Sequence, residues 1–461
     1  MSIKTVEQIK QIFNAESVAL VGATDKDGSF GRLFLEGMRD AGCRKLYPIN
    51  PKREDILGIK AYSSISAVPD RLDLAILLIP PNAVMGLVKE CVENKVGGAV
   101  VFASGFGELG TEGKALELEI GRVGREGGTR IIGPNCLGFF NPRAGIVTYP
   151  QTLMKDVPTE GGSIGGFSQS GSFVDYLVWF LSAKGVRFSS VVSCGNECDL
   201  AAEDFLEYLG QDDNTKTIVS YMEGVKDGRR FFETAREVSR KKPIILWKGG
   251  VSEQGARAAA SHTGALAGSA SIWNAMFKQA GIINVNSVEE VVDCAVAFHN
   301  LPLPKGRRIA IISGQGGTGV GTADNCWAMG LELPRLSEKT TSHLREVLPP
   351  VGTSVGNPTD TGVASLLDPD LYKKAIEIVA DDEGIDMIMV ILNPVPACLE
   401  KVAAVTKCIE KPLAVTVSAL PELEPKMFAT LAEKGVAAYS DPKRAVYVLS
   451  RMAEYASFLN D

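Results

Sequence analysis

An α/β fold of three doubly wound domains is what this sequence predicts. Two observations carry the prediction: short apolar runs alternate with helical stretches along the chain, and the later part of that series repeats itself. Strands buried on both faces read as unbroken apolar runs. Each return to a parallel neighbour needs a crossover, usually a helix, so this alternation implies parallel sheets covered on both sides. A length of 461 residues fits about three domains of roughly 150 each, and an apolar fraction of 45% is ample for several cores.

The first series spans residues 1–145 and predicts a Rossmann-like domain. Ser17 to Thr24 reads as a buried strand ending in a turn; Asp25 to Phe30 is a glycine-containing loop, and Gly31 to Ala41 a helix. Tyr47-Pro-Ile-Asn-Pro is the next strand end, carrying Lys52. Leu72 to Pro80 is a third strand, followed by a helix over Asn82 to Asn94. Gly98 to Ser104 is a fourth, and Arg130 to Gly138 closes the series. Doubly wound sheets bind ligands at the carboxyl ends of their strands. Those ends carry Gly22, Thr24, Lys52, Pro80, Ser104 and Asn135.

Pro142 to Gly162, polar and proline-bearing, reads as a linker. A second domain, residues 146–302, follows: the turn Ser168-Gln-Ser-Gly-Ser172, a helix from Phe173, a strand at Ser189 to Ser193, and the turn Cys194 to Asp199. It continues with a helix from Ala201, a strand ending at Glu223, and another ending in Lys248-Gly-Gly. Leu301-Pro-Leu-Pro-Lys-Gly306 marks the next boundary, and residues 303–461 repeat the second domain. Ser168-Gln-Ser-Gly answers to Ser313-Gly-Gln-Gly-Gly, Gly195-Asn196 to Gly356-Asn357, and the strand before Glu223 to Met387–Asn393. A duplicated flavodoxin-like domain explains the pattern. The segment Ser261-His-Thr-Gly has no counterpart in the third domain, so it is an addition to the shared scaffold.

His262 is one of three histidines and lies among alanine, serine and glycine. Such neighbours leave the imidazole room to meet another group or to move with its loop. With an ordinary pKa near 6.5, a neutral imidazole is a usable nucleophile or base. Glu223, at a strand end of the same domain, can accept from one ring nitrogen and leave the other to attack. Ser168, Ser170 and Gly171 open a helix, where backbone amides, the helix dipole and hydroxyls make a phosphate cradle. The same serines and glycine equally serve as a cap and a turn. His299 and His343 lie in helical patterns and read as structural.

Other signals are weaker. Gly314-x-Gly-x-x-Gly319 follows a strand and opens a helix, but no acidic residue ends the next strand, so it reads as a turn or a phosphate contact. There is no P-loop. Nine cysteines, only Cys194 and Cys198 close together, point to a reducing compartment, and no metal site is expected. A net charge of −7 without a basic tract argues against nucleic acid or anionic lipid. No signal peptide or membrane-spanning run is evident, which gives a cytoplasmic expectation.

Taken together, Gly133-Pro-Asn-Cys-Leu-Gly, Ser168-Gln-Ser-Gly, Gly195-Asn, Glu223 and Ser261-His-Thr-Gly resemble the α subunits of ADP-forming acyl-CoA synthetases, relatives of succinyl-CoA synthetase. The resemblance covers nearly the whole chain. It implies a CoA-binding domain followed by two ligase domains, and reversible conversion of acyl-CoA, ADP and phosphate into free acid, CoA and ATP. By that resemblance His262 becomes phosphorylated, Glu223 orients it, and Ser168, Ser170 and Gly171 hold the phosphoryl group. CoA or acyl-CoA is expected at Gly22, Ala23, Thr24, Lys52, Pro80, Asn135 and Cys136. ADP or ATP, with Mg²⁺, is expected on an ATP-grasp β subunit, in an α2β2 assembly. Two other readings stay open: a non-catalytic CoA-sensing module, and a nicotinamide-dependent oxidoreductase using Gly314 to Gly319.

Overall fold

The computed structural model describes residues 3–148, 160–257, 269–418 and 422–460. The chain divides into two compact units, Met1–Ser182 with Val186–Asn286, and Ala183–Gly185 with Ser287–Asp461.

The first unit holds two sheets. One contains β1 (Ser17–Val21), β2 (Lys45–Ile49), β5 (Leu74–Leu77), β6 (Gly98–Val101) and β7 (Arg130–Ile132); a small antiparallel ribbon, β3 (Asp55–Ile56) with β4 (Ile59–Lys60), stands apart. The order is β2-β1-β5-β6-β7, parallel throughout. Every residue of β1, β5 and β6 is buried, as expected of strands covered on both faces.

The second sheet contains β8 (Phe139–Asn141), β9 (Ile146–Val147), β10 (Ile164–Ser168), β11 (Phe188–Ser193), β12 (Thr217–Met222), β13 (Ile244–Lys248) and β14 (Ile283–Val285), ordered β14-β13-β12-β10-β11-β8-β9. Strands β10 to β14 are parallel, while β8 runs antiparallel to β11. Residues 139–147, which the sequence divides between a domain end and a linker, therefore extend this second sheet. The helix Ile3–Phe13 seals the two domains of the unit. Phe13 is 1% exposed and stacks on Phe139 at 4.6 Å between ring centroids, with the tilted Tyr208 ring at 5.0 Å. Burial of one such ring contributes about 1.5–3 kcal/mol.

The second unit is built on β15 (Ile309–Ser313), β16 (Thr359–Asp360), β17 (Met387–Leu392), β18 (Leu413–Val417) and β19 (Ala438–Tyr439), in the order β16-β15-β17-β18-β19. The helix Val288–Asn300 groups with this unit, where Arg444 forks onto Asp293 at 2.6 and 2.8 Å.

Numbered within its own domain, the five parallel strands of each of the three sheets have the order 2-1-3-4-5. In that topology the chain leaves the first and third strands in opposite directions, opening a crevice at their carboxyl ends. That crevice lies at β1 and β5 in the first domain, and at β10 and β12 in the second.

Candidate active site

Strand β10 ends at Ser168, fully buried, and the helix Gly171–Ala183 begins three residues later. Between them the Ser168 hydroxyl closes the turn on itself, donating to the Ser170 carbonyl at 2.7 Å and accepting the Ser170 N–H at 3.0 Å. The Ser170 and Ser172 hydroxyls lie 3.3 Å apart at the helix start. The first amides of a helix have no intrahelical acceptor, so this turn presents donors and two hydroxyls at the positive end of the helix.

Strand β12 ends beside it, and Glu223 follows, 6% exposed. The link between the two strand ends is Gln169. Its Oε1 accepts the backbone N–H of Glu223 at 2.6 Å and of Gly224 at 3.1 Å, while its Nε2 donates to the Gly224 carbonyl at 3.0 Å. One carboxamide thus fixes the backbone from which Glu223 projects. The Tyr221 hydroxyl donates to Glu223 Oε1 at 3.2 Å. From β13, Lys248 reaches in: its Nζ donates to the Glu223 carbonyl at 2.8 Å and to the Gly249 carbonyl, and sits 4.9 Å from the Trp273 ring centroid. Burial lowers the pKa of that ammonium, against the pull of Glu223.

The third domain repeats this turn and omits its chemistry. Ser313 Oγ donates to the Gln315 carbonyl at 2.8 Å and accepts the Gln315 N–H at 2.9 Å, matching Ser168 and Ser170. Gly314 stands where the second domain has Gln169, and a Cβ there would lie 2.1 Å from the Tyr372 hydroxyl. Asn393 stands where the second domain has Glu223, with its amide engaged by Ser365 at 3.2 Å. The Gly314 to Gly319 motif is thus a strand-to-helix turn continuing into the helix Gly316–Ala328.

In the first domain Gly22 has φ +90°, and a Cβ on it would lie 2.3 Å from the Leu78 carbonyl oxygen, so only glycine suits this turn. Asn50 joins two of the predicted positions. Its Nδ2 donates to the Ala23 carbonyl at 2.8 Å and its Oδ1 accepts the Lys52 N–H at 2.9 Å. Lys52 and Pro80 are exposed, Thr24 is half-buried, and Pro80 caps the helix Pro81–Glu93. Asn135 takes a left-handed conformation (φ 56°) and donates to Asn196 at 3.3 Å. Cys136 is 3% exposed, and burial pushes its thiol up to about 12. Any contact it makes with a ligand would use its backbone.

The turn after β11 ties the two domains of this unit together. Asn196 donates to Glu117 at 2.8 Å and to Glu108 at 2.9 Å. Asp199, its side chain fully buried, accepts from Arg130 at 2.8 and 3.0 Å and from the Ile131 N–H at 2.9 Å. The strand ends of the first domain and the Ser168–Glu223 crevice therefore stand in a fixed relation within one unit.

The sequence singles out Ser168, Ser170, Gly171 and Glu223, and the structure brings them to one crevice. His262 lies outside the described residues, in the segment between β13 and the helix Ala270–Ala280. Sequence reasoning gives no role to Gln169, Lys248, Asn196 or Asn50, although Gln169 and Asn196 lie within the Ser168-Gln-Ser-Gly and Gly195-Asn motifs and Lys248 at a strand end. His299 and His343 lie on the helices Val288–Asn300 and Glu338–Val347. Among the described residues no group of three or more His, Cys, Asp or Glu side chains is arranged to hold a metal ion, and no helix is long and apolar enough to cross a membrane.

Comparison with known proteins agrees with this architecture. Residues 16–142 match the CoA binding domain family, 161–298 the succinyl-CoA ligase like flavodoxin domain, and 309–457 the ligase-CoA domain. Subunit alpha of acetate–CoA ligase [ADP-forming] II from Pyrococcus furiosus is 41% identical over 82% of this chain and 81% of its own length. Subunit alpha of form I from the same organism is 36% identical over 98% of both chains. The dinucleotide-forming acetyl-coenzyme A synthetase 1 of Ca. Korarchaeum cryptofilum, solved with phosphate and ADP, superposes with a TM-score of 0.90 at 32% identity, over 98% of this chain and 97% of that one. The acetate–CoA ligase [ADP-forming] of Methanocaldococcus jannaschii is 39% identical over 77% of this chain, but the matched region spans only 49% of its own length. On sequence, domain order and fold, this chain belongs to the family of ADP-forming acetate–CoA ligases and corresponds to their α subunits.

Proposed function

We propose that the chain carries out the acyl-CoA half of an ADP-forming acyl-CoA synthetase reaction, with His262 as phosphoryl carrier. The observation that carries the reading is the Gln169 clamp, which holds a phosphate-cradle turn and the buried Glu223 at the crevice of the second sheet. An oxygen of inorganic phosphate attacks the thioester carbon; the C–S bond breaks, and CoA leaves as thiolate and takes up a proton. The acyl phosphate then gives its phosphoryl group to a nitrogen of His262. That step breaks the bond between phosphorus and the acyl oxygen and releases the free carboxylate. Glu223 accepts a hydrogen bond from the N–H of the other ring nitrogen and stabilises the charge that forms on the ring. The Ser168–Gly171 turn holds the phosphoryl oxygens, which matches the preference of helix N-termini for anions.

The strand ends around Gly22, Ala23, Thr24, Lys52, Pro80, Asn135 and Cys136 are the CoA positions of this reading. Lys52, exposed at the edge, meets a phosphate, and the Gly22 turn admits close backbone approach. ADP, with its Mg²⁺, takes the phosphoryl group on an ATP-grasp β subunit, and two copies of each chain assemble. The segment carrying His262 starts from the carboxyl end of β13, the strand beside β12 and Glu223. The third domain, with Asn393 and Gly314 in place of the carboxylate and the carboxamide, has no such chemistry to offer.

Incubation with acetyl-CoA and radiolabelled phosphate tests the reading. An acid-labile, base-stable label on the chain, abolished in His262→Ala, supports it. A chain that binds CoA but takes no label from several acyl-CoAs is a sensing module instead.

A further inference from the structure

Glu197 occupies an expensive position in the turn after β11. Its backbone is left-handed (φ 57°), a region that non-glycine residues adopt under strain, and its side chain is 5% exposed. One carboxyl oxygen accepts from Gln169 Nε2 at 3.0 Å; the other is buried with no hydrogen-bond partner among the described residues. Its neighbours in the turn, Asn196 and Asp199, are anchored to the first domain through Glu108, Glu117 and Arg130. Strain and desolvation concentrated in one residue persist where the surroundings over-determine them, and such residues cluster at functional sites.

The Gln169 carboxamide has two donors and two acceptor positions, and all four are used. The acceptors take the N–H groups of Glu223 and Gly224; one donor goes to the Gly224 carbonyl and the other to Glu197. Three of these contacts lie on the β12 end. The fourth, Glu197, alone comes from the turn fixed to the first domain. We propose that Glu197 is a positioning residue of the phosphoryl-transfer site, orienting the Gln169 carboxamide and through it the Glu223 strand end against the Ser168–Gly171 turn. The inference rests on the proposed function for the reaction it serves, and on geometry for the contact itself.

The charge on Glu197 sets how firmly it holds that amide, because an ionised acceptor makes the stronger hydrogen bond. Burial pushes its carboxyl up to about 7. Several groups face it. Gln169, Lys226 from the loop after β12 and the Ala202 backbone at the next helix start favour the charge; Glu203 on that helix opposes it. The Cys194 thiol of the same turn is buried and held well above its ordinary pKa.

The test uses the full chain, with Glu197→Ala and Glu197→Gln followed by acyl-CoA-dependent labelling in a single turnover. Glu197→Ala should slow labelling by about tenfold or more at unchanged half-saturation by acyl-CoA, because misplacement of a reacting group lowers the rate rather than binding. Glu197→Gln keeps an acceptor for Gln169 Nε2 and should recover most of the rate, while losing the contribution that ionisation of Glu197, with its carboxyl pushed up to about 7, is expected to make to the pH profile of the unaltered chain. Wild-type rates in Glu197→Ala, or a pH profile unchanged in Glu197→Gln, overturn the proposal. Failure of the unaltered chain to label would count against the proposed function instead. The contact is then read directly from the side-chain amide resonance of Gln169, assigned by its loss in Gln169→Glu. Displacement of that resonance in Glu197→Ala, and titration in the unaltered chain but not in Glu197→Gln, support the proposal. A resonance unmoved in both variants overturns it.

Discussion

Gln169 Oε1 accepts the backbone N–H of Glu223 at 2.6 Å, joining the end of β10 to the end of β12 across the crevice of the second sheet. Doubly wound sheets leave these two strand ends side by side, but topology alone does not fix a side chain to within hydrogen-bonding tolerance. A neutral amide that donates and accepts at once does so without adding charge beside a carboxylate.

Replacing Gln169 by Ala should therefore be costly in two respects. The N–H groups of Glu223 and Gly224 lose their acceptor, a loss of about 1–3 kcal/mol for each buried donor left unsatisfied. Labelling of the chain by acyl-CoA and phosphate should fall more steeply than stability alone explains. Denaturant unfolding read beside labelling separates the two. Labelling that falls only in proportion to the folded fraction would make Gln169 a structural residue.

Arg130 and Asp199 form the buried fork between the two domains of the first unit, with side chains 8% and 0% exposed. Asp199→Ala leaves the buried Arg130 without its carboxylate and should destabilise the unit by about 3–5 kcal/mol. Arg130→Ala should cost less, because Arg125 remains 3.5 Å from Asp199. A double replacement by apolar residues of similar volume should recover much of that loss. If the single variants melt like the parent, the fork does not hold the domains together.

These relationships show where the sequence is readable. The strands were legible because burial on both faces makes them continuous apolar runs, and Ser168 and Glu223 because reactive groups at strand ends stand out. Gln169 was not: it has no titratable chemistry, and its partner is 54 residues away. Glu197 and Asp199 are hidden for the same reason, since the Arg130 partner of Asp199 is 69 residues distant. Cys136 illustrates the converse, a reactive residue type at a strand end whose thiol the fold buries. Strands β8 and β9 escaped notice because three and two residues are too short for a periodic signal.

Gly195 has φ +59°, and a Cβ on it would lie 2.1 Å from the Pro134 carbonyl oxygen. Gly195→Ala must therefore push the turn away from Gly133–Asn135, straining both sides. The expected cost is about 1–3 kcal/mol, together with weaker CoA binding, since Asn135 lies on the displaced side. Calorimetric titration with CoA checks this, and unchanged affinity in a destabilised variant would separate the turn from the CoA positions.

The raised pKa of Glu197 has a definite sign in stability. Its carboxyl moves from an ordinary 4.5 up to about 7 on folding, so the native state binds the proton more tightly than the unfolded chain does. The group's contribution is full below the unfolded value and is lost as pH rises through about 7. Asp175, also raised to about 7 by burial, acts in the same direction, so comparison with Glu197→Gln isolates one carboxyl. Thermal melting should show the parent losing more stability than Glu197→Gln between pH 4.5 and 7. Parallel curves would mean that Glu197 stays at its ordinary value.

Glu223→Gln isolates charge from shape at the centre of the crevice. The variant keeps the side-chain length, an acceptor for the Tyr221 hydroxyl, and the backbone groups that Gln169 and Lys248 engage. What it loses is the negative charge that would accept the hydrogen bond of the His262 ring and stabilise the ring as it becomes cationic. The third domain has already made a related exchange, with Asn393 at the equivalent strand end and no histidine segment beside it. Electrostatic assistance of this kind is typically worth about 10²–10³ in rate. Labelling of Glu223→Gln should therefore fall by at least about 10², with CoA affinity and melting temperature close to the parent. The deficit should persist at every pH at which the chain is folded, because an amide has no proton to lose. If Glu223→Gln labels at the parental rate, the carboxylate is not the partner of the nucleophile, and Lys248, the other buried charge at that strand end, becomes the group to vary.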